Sequence, residues 1–127
     1  MKFVIDAFAW IEYLIGTEFG AKVKEIIEPE ENEIFVSIIT IAEVTSILQR
    51  RDMDVNNGYK VITNLAEMYK IDEEFTKEVG ILHAEIRKNI KDFGLADAFV
   101  LLTARKLGAK IVTGDPHFKT FKESILI

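Results

Sequence analysis

Four acidic residues, Asp6, Glu43, Asp97 and Asp115, stand far apart in the chain, each beside an apolar run. Carboxylate oxygens are hard donors and suit magnesium or manganese. Ions held this way activate water and stabilise the oxygen that leaves when a phosphodiester is hydrolysed. The four acids are therefore candidate ligands and catalytic groups if the fold gathers them. Each also has a plainer role when taken alone. Asp6 is placed to cap a helix. Glu43 follows Thr40 at the spacing of a capping box. Asp97 falls in the first turn of a helix, where the dipole favours an anion. Asp115 lies in the turn TGDPHF, a setting in which Asp is common. Asp97 is the hardest to explain this way, because its helix is almost wholly apolar and a charge there needs a partner or a metal.

Other chemistries are missing. The chain has no Cys, which removes disulfides, thiolate metal sites and a cysteine nucleophile. It contains no GxSxG, GxxxxGK[ST] or GxGxxG pattern. The net charge of −5 disfavours RNA binding by simple phosphate neutralisation. It is compatible with a nuclease whose carboxylates are offset by divalent ions.

The elements that must position these acids follow from hydrophobic patterning. Residues 2–5 read as an apolar strand ending at Asp6, followed by a helix over 7–15 and another over roughly 18–28, stopped by Pro29. Residues 33–37 read as a second strand. The next helix starts at Thr40 as N-cap and carries Glu43 at the margin of its apolar face. Further helices are expected over 55–69, 73–90 and 95–107, the last closed by Gly108. A short third strand is expected around 69–71, a fourth over 110–113 and a last over 124–127. Strands alternating with helices imply one α/β domain over residues 1–127, a three-layer sandwich with a parallel sheet covered on both faces. Ligands in such sheets bind beyond the carboxyl ends of the strands. Asp6 and Asp115 both fall at that edge.

The order VIDAFAWIEYL, SIITIAEVTSIL and GLADAFVLLTARKLGAKIVTGDPHF resembles a PIN domain of the VapC toxin type, along essentially the whole chain. The third block is the most specific, because LADA, an apolar helix and the TGDPHF turn stand at the family's spacing. The resemblance implies a parallel sheet of about five strands and a metal-dependent endoribonuclease using Mg2+ or Mn2+. It implies an RNA substrate, products with 5′-phosphate and 3′-hydroxyl ends, a homodimer, and a cognate antitoxin that occludes the site. By position, Asp6, Glu43 and Asp97 match the three main acids, Asp115 the fourth, and Thr113 the small polar residue before it. One departure stands out: the family often has Ser, Thr or Asn two residues after the first Asp, and this chain has Phe8.

Two other readings compete with the nuclease. One is an inactive PIN-like module that binds RNA or protein, which Phe8 and the acidic charge favour. The other is a phosphoacceptor receiver domain, but Asp6 lacks the acidic neighbour such a site needs. His83 reads as a packed or surface residue and His117 as part of its turn. Trp10, Tyr13 and Phe99 read as core or dimer contacts. Arg50, Arg51, Arg87, Lys88 and Lys91 read equally as RNA guides or as solvated helix faces. Asp6 and Glu12 interrupt the apolar N-terminus, so it does not read as a signal peptide, and no apolar stretch of about eighteen residues reads as a membrane span. A cytoplasmic protein is expected.

Overall fold

β1 (Lys2–Ile5) is built from KFVI, and Phe3, Val4 and Ile5 are all buried. Such a strand belongs in the middle of a sheet covered on both faces. The structure is a computed structural model that describes residues 1–127. In it β1 pairs with β2 (Glu33–Ser37) on one side and β4 (Lys110–Thr113) on the other. β3 (Glu67–Tyr69) lies outside β2 and β5 (Ser124–Leu126) outside β4. The order is β3-β2-β1-β4-β5, with every pairing parallel. The expected α/β domain with five parallel strands is thus present.

Alternation along each strand divides the core in two. Phe3 and Ile5, with Ile34, Val36 and Val112, face one layer. That layer is α1 (Ala7–Ile15), α2 (Glu18–Ile27), α3 (Ile38–Arg50) and α4 (Val55–Leu65), which contribute Trp10, Val23, Val44, Leu48 and Ile62. Val4, Phe35 and Ile111 point the other way, onto α5 (Glu73–Arg87) and α6 (Leu95–Leu107) through Phe75, Val79, Phe99 and Leu101. Each of these large side chains contributes roughly 1.5–3 kcal/mol when fully buried. Close approach of α1 and α2 requires Gly20, because a Cβ there would collide with the carbonyl of Glu12. No helix is long and apolar enough to cross a membrane.

Several sequence expectations need correction. α3 begins before Thr40: Ser37 is its N-cap and accepts the Ile39 N–H at 3.3 Å. Thr40 is buried within the first turn and its hydroxyl makes no hydrogen bond, so Glu43 belongs to no capping box. The helix expected over 55–69 ends at Leu65, and Ala66 turns to extended geometry. The following residues pair with β2, Glu67 opposite Phe35 and Tyr69 opposite Ser37, two residues earlier than the strand expected at 69–71. Trp10, expected as a core or dimer contact, is fully buried and belongs to the core.

Candidate metal centre

The four acids reach one edge because of what precedes them. Asp6 directly follows β1, and its N–H continues the ladder to the Val112 carbonyl at 3.1 Å. Asp115 follows the adjacent strand β4 by two residues, its N–H donating to the Thr113 hydroxyl at 2.9 Å. Glu43 is one turn and a half into α3, the helix that leaves β2. Asp97 sits in the first turn of α6.

Asp6 does cap α1, its Oδ1 accepting the Ala9 N–H at 2.9 Å. That accounts for one carboxylate oxygen in a residue only 8 % exposed. Burial pushes its carboxyl up to about 7. The Thr113 hydroxyl and the Ala9 N–H oppose that rise, while the charges of Asp115 and Asp97 add to it. Asp97 likewise has a local role, with Oδ2 accepting the Gly94 N–H at 2.9 Å. Its carboxyl is raised by burial, opposed by that N–H, and raised again by Asp115, while His117 and His83 pull it down. Glu43 is half-buried and raised by burial and by Asp97. These acids therefore feel one another's charge, as a shared site requires.

The tightest convergence is Asp97, Asp115 and His117, whose ligand atoms all lie within 4.8 Å of one another. Asp6 and Glu43 stand outside that set but within electrostatic reach of it. His117, read from sequence as part of a turn, is the residue the sequence reading underweighted. Its signal was its place two residues after an acid at the sheet edge. No Lys or Arg pairs with any of the four acids; the ion pairs of the molecule lie elsewhere, apart from His117 Nδ1 at 3.2 Å from Asp115 Oδ1. Carboxylates gathered without a basic partner, with an imidazole among them, are a donor set that fits a divalent cation.

Phe8 lies at the rim of this edge. It is 40 % exposed, stands edge-on to Phe19 at 6.0 Å, and its ring covers Gly114 so closely that a Cβ at Gly114 would collide with it. Gly114→Ala should therefore cost about 1–3 kcal/mol in the parent, the usual penalty of overpacking. In a Phe8→Ser background the same change should cost almost nothing. Chemical denaturation of the four proteins measures this coupling, and equal costs in both backgrounds would show that Phe8 does not hold the Gly114–Asp115 turn. Among the remaining residues singled out from sequence, His83 Nε2 lies 3.0 Å from the Phe93 carbonyl and Lys88 pairs with Glu85 at 3.0 Å.

A family model described as PIN domain matches residues 3–123. Curated protein sequences give no match. Among solved structures, VapBC2 from Rickettsia felis, bound to a DNA fragment from its promoter, has a TM-score of 0.73 at 16 % identity. That match covers 100 % of this chain and 98 % of the other. A toxin–antitoxin complex from Klebsiella pneumoniae has a TM-score of 0.67 at 19 % identity, covering 96 % and 94 %. VapC20 from Mycobacterium tuberculosis, a Sarcin-Ricin loop cleaving toxin, has a TM-score of 0.68 at 16 % identity, covering 97 % and 98 %.

Proposed function

Because this chain belongs to the PIN-domain family, we propose that it is a metal-dependent endoribonuclease and the toxin of a VapBC-type toxin–antitoxin pair. The observation that carries this reading is the convergence of Asp97, Asp115 and His117 beside the buried Asp6, with no Lys or Arg paired to any of the acids. A bound Mg2+ or Mn2+ would supply Lewis acidity toward water and toward the phosphate of an RNA strand. Asp6, Asp97 and Asp115 would hold the ion, and Glu43, half-buried at the edge of the group, would complete its shell or orient the attacking water. Thr113 serves this arrangement by facing Asp6 while receiving the Asp115 N–H, which ties the ends of β1 and β4 together.

The fold's resemblance to toxin–antitoxin complexes supports a protein antitoxin as the partner. Its inhibitory segment should set an Arg or Lys among the acids, since a cation there replaces the charge of the metal. A complex with no basic side chain near Asp6 or Asp97 would contradict that. The exposed Tyr59 and Leu65 of α4 offer apolar area for a homodimer. Light scattering at high micromolar concentration should give twice the chain mass, and a monomer would contradict it.

The enzyme reading is tested with a mixed RNA pool. Manganese should produce discrete fragments and chelator should stop their formation. Intact RNA that stays bound to the protein in manganese would instead identify a binding module.

A further inference from the structure

One nitrogen donor stands among the oxygens of the Asp97–Asp115–His117 group. We propose that His117 binds the metal directly, making this a mixed nitrogen–oxygen centre that selects a transition ion over magnesium; the proposal rests on the metal-dependent reading above. The backbone that carries the imidazole is held on both sides. Its backbone N–H donates to Asp115 Oδ1 at 2.8 Å, and the next residue, Phe118, is fully buried against Phe93 at 5.7 Å. The turn that carries His117 is thus fastened to the core.

The ring itself has an orientation suited to ligation. Nδ1 lies 3.2 Å from Asp115 Oδ1. That spacing suits two donor atoms sharing one ion, and an imidazole with its proton on Nε2 leaves the Nδ1 lone pair beside the carboxylate. Asp97 Oδ2 is engaged with the Gly94 N–H, so each acid in the group already spends one oxygen locally. The nitrogen supplies a donor the carboxylates do not. Imidazole is a poor ligand for magnesium and a good one for first-row transition ions. The only other histidine, His83, has Nε2 directed at the Phe93 carbonyl and serves as an internal control.

The test uses the full chain loaded with Mn2+ and pulsed electron paramagnetic resonance, with 15N-histidine incorporated in a second preparation. Unmutated protein should show a histidine nitrogen coupling that changes with the isotope, so this reading needs no variant to fold. The coupling should persist in His83→Gln and vanish in His117→Gln and His117→Ala. Calorimetry should show Mn2+ affinity falling about tenfold in the His117 variants, the scale of a perturbed ligand shell, with Mg2+ affinity changing less than about threefold. Bound manganese without histidine coupling, or coupling that survives in His117→Gln, would overturn the proposal and leave the metal-dependent reading standing. Failure of the unmutated chain to bind Mn2+ would overturn both.

Discussion

Asp97→Asn should abolish RNA cleavage while leaving the metal-free protein as stable as the parent, or more stable. A loss of at least about a thousandfold is expected, corresponding to roughly 4 kcal/mol in the barrier. The structure explains why folding should survive. Asp97 does have the local role a first-turn acid can have, accepting the Gly94 N–H. An Asn side chain keeps an oxygen for that bond. What it loses is a charge that burial and Asp115 already oppose. Such sites trade stability for function. The parent should gain stability with manganese, about 2.7 kcal/mol when the ion is at a hundred times its dissociation constant, and the variant clearly less. Thermal melts in chelator and in manganese, beside a cleavage assay, separate the cases. A variant that melts lower in chelator, responds fully to manganese and still cuts RNA would assign Asp97 to the helix alone.

The metal-free protein should lose stability as pH rises from about 4 to about 7, opposite to the usual behaviour of a paired carboxylate. Asp6 binds its proton more tightly folded than unfolded, with its carboxyl lifted from 3.8 to about 7, chiefly by burial. Between those values the native state holds more protons than the unfolded chain, so stability falls with rising pH. The contribution is fully present below the unfolded value and gone above the folded one. Its size is up to about 4 kcal/mol, from about three units at 1.36 kcal/mol each. Glu43 and Asp97 are raised too and act in the same direction. Asp6→Asn keeps an acceptor for the Ala9 N–H and should flatten the profile, melting well above the parent at pH 8 and close to it at pH 4. Manganese should oppose the decline, because binding requires the ionised carboxylates. A parent whose metal-free melting temperature climbs steadily from pH 4 to pH 8 would contradict the burial of an ionisable Asp6 at this edge.

Much of this arrangement was written in local patterns. Residues 2–5, 33–37 and 110–113 are apolar runs with acids or turn residues at their ends, and each is the strand expected. Gly108 closes α6 in left-handed geometry, as its place after an apolar helix implied. The failures come where tertiary pairing outweighed local preference. Helical periodicity continues through Met68, yet hydrogen bonds to β2 draw Glu67–Tyr69 into an edge strand that is largely exposed and carries no strong apolar signal. Thr40 has cap chemistry, but Ser37 leaves the sheet first and starts the helix there. At the site, the acids were legible as charges beside apolar runs. Their order of closeness was not, since it depends on how the Asp115 turn folds back toward α6. That turn brings in His117, whose place beside an acid says little until Phe118 is seen anchored in the core.

The ends of the RNA fragments give the most direct test of metal-assisted hydrolysis by this chain. Purified protein in manganese should leave 5′-phosphate and 3′-hydroxyl ends, because water attacks phosphorus and the 3′ oxygen leaves. Chelator, Asp6→Asn and Asp97→Asn should each remove those fragments. Fragments bearing 2′,3′-cyclic phosphate, formed equally well in chelator, would mean that the RNA's own 2′-hydroxyl attacks and that the gathered acids hold no catalytic metal.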